Sequence, residues 1–235
     1  MEIQGNCDHK FTEVKELFES LHSSGREVGS SFAVYKNGKP IIDIWGGYTD
    51  KQKTIPWNQN SLATVWSTTK GVAAITCALA VEKGLLDYEE KVSHYWPEFG
   101  CNGKEDITVG MLLSHQAGIC GSATNDVKDY YNQNTMAEEL AAMKPIWEPG
   151  TASGYHSMTY GWLTSELIIR VTGKTLGAFY ADEIGNPNEI DFFIGLPESE
   201  EKRVVEMLPF PKEENQSQES TEINDAKRAT ARGPN

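Results

Sequence analysis

The chain has 235 residues, of which 39% are hydrophobic, so it is long enough to bury a substantial core within one domain. Its formal net charge of −13 disfavours binding to nucleic acid or to an anionic membrane surface. No apolar run approaches the roughly 20 residues of a membrane-spanning helix, and the first residues lack a secretion or transit signal. We therefore expect a cytoplasmic protein with reduced cysteines. Neither the four cysteines nor the five histidines show the spacing of a metal site.

The first predicted elements are a helix and a β-hairpin. Asp8 is a suitable N-cap, apolar residues recur at helical spacing from Phe11 to Leu21, and Gly25 can end the helix. Two β-rich runs then flank Asn37-Gly38, the dipeptide most typical of a two-residue hairpin turn. The second strand is predicted to begin at Pro40.

The rest of the chain predicts mainly helices. The first follows a polar loop near Ser67 and ends at Gly84. Three later helices have recognisable caps: Thr108 before residues 109–116, a Thr135–Glu138 capping box, and Gly173 after residues 158–171. A further short helix spans residues 175–184, and residues 191–196, DFFIGL, are compatible with a strand.

The stretch VWSTTKGVAA places Ser67 three residues before Lys70, where a polar loop turns into an apolar helix. Residues i and i+3 share a helix face with Cβ atoms about 5–6 Å apart, so the amine can reach the hydroxyl. The Ala-, Val- and Ile-rich run that follows predicts burial, which favours an unprotonated lysine that can activate a serine. The backbone N–H of Ser67, at the helix start, can face a developing oxyanion. Spacing and context fit either a catalytic pair or a buried structural pair.

A second Ser-x-x-Lys match, Ser199 to Lys202, has a different setting. It lies in PESEEKR, where carboxylates and water keep a lysine protonated, so we interpret it as a solvated charged turn.

The loop EPGTASGYHSMTYGW offers a third group for proton transfer, because the phenol of Tyr155 can relay a proton to a leaving group. The alternative for any one tyrosine is a half-buried core residue, and Tyr160 fits that alternative better because it lies within an apolar helical pattern. We interpret His115 and His156 as hydrogen-bonding residues of loops or helix ends, and Cys77 as a small apolar helix residue.

These segments together resemble the serine β-lactamase and penicillin-binding-protein superfamily. The closest resemblance is to the class C β-lactamase-like branch that includes the family VIII carboxylesterases. Four stretches carry it: the hairpin with IIDIWGG, then VWSTTKGVAA, ITVGMLLSHQAGI, and EPGTASGYHSMTYGWLTSELIIRVTGKTLGAFY. The resemblance covers roughly residues 10–208, and several motifs in order are far more specific than one Ser-x-x-Lys match.

The resemblance implies catalytic roles for three residues. Ser67 takes the place of the acylated nucleophile, Lys70 that of its base, and Tyr155 that of the tyrosine in the second motif. Ser157 stands where β-lactamases carry asparagine, a departure that suits the esterase-like members. The family's third motif, Lys-Thr-Gly or an equivalent on a late strand, has no matching strand segment here, so we expect a chain that lacks the C-terminal strands.

The sequence thus predicts an α+β, β-lactamase/transpeptidase-like fold: an antiparallel sheet flanked by helices, with a mostly helical subdomain. We expect a β-lactamase-related domain over residues 1–210, incomplete at its C-terminal side, and a polar, flexible tail over residues 211–235. The implied function is acyl transfer through Ser67 on small ester or amide substrates, without a cofactor. The alternative is an inactive truncated homologue that acts through protein contacts. The sequence does not indicate an oligomeric state.

Overall fold

A computed structural model describes residues 2–124 and 126–209, so the predicted tail and its boundary at residue 210 lie outside the described residues. The described chain divides into two compact units. The first comprises residues 2–65 and 196–209, and the second comprises residues 66–124 and 126–195. In the described chain, no helix has the length and apolar composition needed to cross a membrane.

The first unit contains a three-stranded antiparallel sheet in the order β1-β3-β2. Its strands are β1 (Gln4–Cys7), β2 (Gly29–Lys36) and β3 (Lys39–Gly47). Asn37 and Gly38 join β2 to β3 with φ angles of 52° and 72°, the left-handed values that a type I′ hairpin turn requires. The predicted hairpin is confirmed, and its second strand begins one residue before Pro40.

Helix α1 (Thr12–Ser23) covers one face of the sheet. Asp8 does cap this region, because its side chain accepts a hydrogen bond from the backbone of Lys10 in a 3-10 turn that precedes the helix. Phe18 packs with apolar sheet residues, whereas Leu17 lies 60% exposed. The other buried residues of this core are Ile42 and Ile44 of β3 and Ile3, which lies just before β1.

The second unit is helical. Its helices are α2 (Thr69–Glu82), α3 (Val92–Tyr95), α4 (Val109–Leu113), α5 (Gln133–Ala142), α6 (Thr159–Thr172) and α7 (Leu176–Tyr180). Helix α6 packs against α2, α5 and α7, and it completely buries Leu163, Leu167 and Ile168. Gly173 ends α6 in the left-handed conformation, as predicted. The unit therefore forms around α6, which begins just after the loop that carries Tyr155.

The apolar run after Lys70 is less buried than predicted. Helix α2 buries one face, formed by Ala73, Thr76, Cys77 and Ala80, whereas Ile75 is 61% exposed. A helix turns once every 3.6 residues, so a run that is apolar on all sides still places only one face on the core.

The predicted strand at residues 191–196 is wrong, because these described residues form no β-ladder. The segment instead packs against α7: the ring of Phe192 meets that of Tyr180 edge-on at 5.8 Å, and Ile194 contacts the helical core. The apolar side chains that suggested a strand therefore pack against helices.

The predicted Thr135–Glu138 capping box is also wrong. Helix α5 begins earlier, and its N-cap is Asn132, whose side chain accepts a hydrogen bond from the backbone N–H of Thr135 at 3.2 Å. Asparagine and threonine are both favoured as N-cap residues. Residue 132 has the extended backbone of an N-cap, so Asn132 takes this role.

This cap gives a direct stability prediction. Replacing Asn132 by alanine removes the acceptor and should lower the free energy of unfolding by about 0.5–2 kcal/mol, as measured by urea denaturation. The matched variant Thr135→Ala keeps the cap and should cost clearly less. A larger loss in Thr135→Ala than in Asn132→Ala would place the cap at residue 135 after all.

Candidate active site

Ser67 lies in a 3-10 turn, Trp66–Thr68, immediately before α2. The residue before it, Trp66, has a φ of 48° and a side chain that is 74% exposed. A non-glycine residue in this left-handed region costs on the order of 1–3 kcal/mol and is most common at functional sites. The sharp turn leaves the Ser67 side chain accessible to solvent.

Lys70 lies one helical turn after Ser67, as the spacing predicts. Its Nζ donates a hydrogen bond to Ser67 Oγ at 3.2 Å. Lys70 is half-buried, not enclosed. The structure thus brings the amine and the hydroxyl together at a surface that a small molecule can reach.

Tyr155 comes from the loop before α6 and completes the group. Lys70 Nζ lies 5.0 Å from the centre of the Tyr155 ring, and this ring is 53% exposed. A hydrogen bond with Ser67 lowers the pKa of the Tyr155 phenol below its ordinary value, and a hydrogen bond and the charge of Lys70 lower it further. The three residues singled out from the sequence are therefore in mutual contact.

Two histidines hold the Tyr155 loop against the segment after α4. The backbone N–H of His156 donates to His115 Nδ1 at 3.1 Å, and the ring centres of His115 and Tyr155 are 5.1 Å apart. His156 is fully buried: its Nε2 accepts from the Ile119 backbone at 3.2 Å, while Nδ1 lies 2.7 Å from the carbonyl oxygen of Gly154. The interpretation of both histidines as hydrogen-bonding residues is confirmed.

This arrangement keeps both imidazoles neutral. Burial lowers the pKa of His156 to about 4, and its accepting Nε2 implies that the proton sits on Nδ1. Burial, followed by the charge of Lys70, also lowers the pKa of His115. Neither histidine contacts Ser67 through a hydrogen bond among those that the structure resolves, so they support the Tyr155 loop.

Two residues that the sequence favoured as structural, Tyr160 and Cys77, are buried. Tyr160 is 2% exposed and Cys77 fully buried, and burial raises the pKa of each side chain to about 12. At neutral pH both remain protonated, which makes them poor candidates for proton transfer or nucleophilic attack.

The second Ser-x-x-Lys match lies in an exposed 3-10 helix, Glu198–Arg203. There the Ser199 hydroxyl donates to the carboxylate of Glu200 at 3.2 Å, and Lys202 is exposed. The predicted solvated charged turn is confirmed. Ser-x-x-Lys spacing alone is therefore not enough to give the contact that Lys70 makes with Ser67.

A cavity of about 510 Å³ opens beside Lys70. Trp66 lies at its Lys70 side, and α5, α6, α7 and the segment around Ile194 supply its other walls. Ser157, the residue at the second-motif asparagine position, also lines it. The size is in the usual range for small-molecule sites. Within the described residues, no cluster of three or more histidine, cysteine or acidic side chains is arranged to hold a metal ion.

The amino-acid sequence matches a family model described as Beta-lactamase over residues 14–232. The chain belongs to the beta-lactamase family. Esterase/beta-lactamase LipL from Mycobacterium tuberculosis (strain ATCC 25618 / H37Rv) is 36% identical to it over 208 residues, which are 88% of this chain and 48% of LipL.

Solved structures confirm the predicted beta-lactamase/transpeptidase-like fold. A family VIII carboxylesterase is 43% identical with a TM-score of 0.83, over 89% of this chain and 58% of that one. A penicillin-binding protein homolog from Caulobacter crescentus is 35% identical with a TM-score of 0.84, over 100% of this chain and 64% of that one. This beta-lactamase family chain spans about half the length of LipL.

Sequence reasoning missed two features of the candidate site in this beta-lactamase family chain. The contact of His115 with Tyr155 had no local signal, because the two residues meet only through the folded loops. The cavity wall on α5, which includes Gln133, likewise depends on how helices pack. Another residue that lines the cavity, Gly161, could have been singled out from the sequence, since an isolated glycine in a helical pattern indicates a packing or functional constraint.

Proposed function

We propose that this protein is a serine hydrolase that transfers acyl groups from small ester or amide substrates to water through Ser67. The observation that carries the proposal is the 3.2 Å contact between Lys70 Nζ and Ser67 Oγ. Both residues also lower the pKa of the Tyr155 phenol. Nucleophile and base within hydrogen-bond reach, with a third polar group beside them, form the general pattern of covalent catalysis. No cofactor is required for this reaction.

In the first step, Lys70 Nζ takes up the hydroxyl proton of Ser67 as Ser67 Oγ attacks the substrate carbonyl. The carbonyl oxygen becomes an oxyanion. In this proposal the backbone N–H of Ser67, which lies in the 3-10 turn before α2, donates a hydrogen bond to the oxyanion.

In the second step, the carbon–oxygen or carbon–nitrogen bond of the leaving group breaks, and the Tyr155 phenol supplies a proton to that group. The lowered pKa of the Tyr155 phenol makes it a better acid than an ordinary tyrosine. Lys70 then gives Tyr155 the proton that it took from Ser67. Water then attacks the acyl-Ser67 ester, releases the carboxylic acid and restores the hydroxyl.

The relatives favour an ester over a β-lactam as the substrate. LipL is named an esterase/beta-lactamase, and of the two solved structures the one with the higher sequence identity is a family VIII carboxylesterase. Ser157, which stands in place of the second-motif asparagine and lines the cavity, is consistent with the esterase-like members. The net charge of −13 supports a small-molecule substrate and not nucleic acid or an anionic membrane.

A fluorophosphonate probe tests the proposal directly. Intact-mass spectrometry should find one covalent adduct on the wild-type chain and none on Ser67→Ala, because the probe reacts only with an activated serine. Ser199→Ala, which changes the serine of the exposed second match, should label like wild type.

Two outcomes would contradict the proposal. Folded wild-type protein that gains no adduct would favour the alternative, an inactive homologue that acts through protein contacts. An adduct that persists in Ser67→Ala would place the nucleophile elsewhere. Circular dichroism of each variant establishes that it is folded.

A further inference from the structure

The cavity beside Lys70 is suited to an uncharged group. Among its described lining residues, Lys70 alone carries a charge, and it lies at the end next to the nucleophile. Apolar side chains form much of the remaining wall, among them Met158, Leu176 and Ile194. A substrate bound to Ser67 can therefore extend an uncharged acyl chain into this space, where a charged acyl group would lose hydration without a partner.

One residue of the cavity wall, Gly161, is a glycine that the fold does not require. Gly161 lies in the first turn of α6, where glycine weakens a helix relative to alanine. Its φ lies outside the left-handed region. A Cβ built on Gly161 meets no heavy atom within 4 Å beyond its own helix. Neither the backbone nor the packing therefore demands glycine at this site.

The other two glycines of the cavity have structural reasons. A Cβ on Gly177 would lie 1.8 Å from the carbonyl oxygen of Ile194, and Gly195 has a φ of 87° that other residues rarely adopt. Gly161 differs because it lines the cavity and a Cβ there would have no neighbour within 4 Å.

We propose that Gly161 determines how long an acyl chain the site accepts, by keeping this part of the cavity open for an uncharged acyl group. The inference rests on the proposed function, since it concerns the acyl group that Ser67 would carry. A side chain at position 161 fills the cavity from the α6 side and shortens the accepted acyl chain. It leaves the contact between Ser67 and Lys70 unchanged.

The test uses p-nitrophenyl esters of acetate, butyrate, hexanoate and octanoate with the full chain. In each reaction Ser67 Oγ bonds to the acyl carbon and p-nitrophenolate leaves, so absorbance gives the rate and intact mass gives the acyl adduct. In Gly161→Leu, the ratio of the rate with the longest ester that wild type accepts to the rate with acetate should fall by about 10-fold or more relative to wild type. Gly161→Ala should give an intermediate result.

Gly71 provides the matched control. It lies on α2, a Cβ there also meets nothing within 4 Å, and it does not line the cavity, so Gly71→Leu should leave the dependence on chain length unchanged. Thermal unfolding of each variant checks that the fold is retained. Equal chain-length dependence in the Gly161 variants and wild type would overturn the inference alone. A wild-type chain that no ester acylates at Ser67 would overturn the proposed function, and the inference with it.

Discussion

Replacing Lys70 by methionine should slow the acylation of Ser67 by about 10²–10⁴-fold, the usual contribution of a positioned general base. Methionine has a similar length and keeps the apolar contacts of the stem, but it cannot accept a proton. The measurement is the second-order rate constant for fluorophosphonate labelling, followed by intact mass at several probe concentrations.

Lys70→Arg separates base catalysis from simple charge attraction. Arginine keeps a positive charge near the Tyr155 ring, whose centre lies 5.0 Å from Lys70 Nζ, but it remains protonated, so it cannot take the Ser67 proton. We expect Lys70→Arg to be as slow as Lys70→Met. A labelling rate near wild type in Lys70→Arg would mean that charge alone activates Ser67.

Lys202→Met is the matched control for loss of a lysine from a Ser-x-x-Lys match. Lys202 is exposed, and no hydrogen bond to Ser199 is among the contacts that the structure resolves. Its replacement should leave the labelling rate unchanged. A loss of rate in Lys202→Met comparable to that in Lys70→Met would show that the effect is not specific to the candidate site.

The parts of the fold that the sequence predicted correctly have local causes. The Asn37-Gly38 turn needs only its own left-handed dihedral angles, and Gly173 ends α6 for the same reason. The contact between Ser67 and Lys70 depends on one helical turn, so the spacing, together with the apolar helix that follows, indicated it.

The parts that the sequence missed depend on tertiary packing. Strand β1 has the sequence QGNC, which has weak β-propensity, and it forms by pairing with β3. The exposure of Ile75 follows from which face of α2 meets the core, and a uniformly apolar run does not encode that choice. For the same reason, the degree of burial of Lys70 was overestimated.

Tyr155 illustrates the limit for the candidate site. The resemblance to a known family identified it, but its approach to Ser67 depends on hydrogen bonds that join its loop to residues distant in the sequence. The backbone N–H of His156 donates to His115, and the His156 ring accepts from the backbone of Ile119. Sequence therefore supplied the chemical groups, while the two loops held by these histidines supply their geometry.

The stability of the folded chain should fall as the pH falls from 7.5 to 5, partly because of His156. Its pKa is lowered to about 4 in the folded chain and returns to its ordinary value of 6.5 on unfolding. Between these values the unfolded chain binds more protons, so stability is complete above pH 6.5 and declines toward pH 4. Linkage gives a loss of about 2 kcal/mol from His156 between pH 7.5 and 5.

His156→Gln isolates this contribution. Glutamine does not titrate, so the variant should be less stable than wild type at pH 7.5, having lost the paired hydrogen bonds to Ile119 and Gly154, yet should lose about 2 kcal/mol less on going to pH 5. Urea denaturation at each pH measures both quantities. His22 also has a pKa lowered by burial, and because it lies in the other unit its contribution is the same in both proteins and cancels from the difference. Parallel pH profiles for wild type and His156→Gln would mean that His156 can take up its proton in the folded chain, and that its ring does not fix the Tyr155 loop in the neutral form.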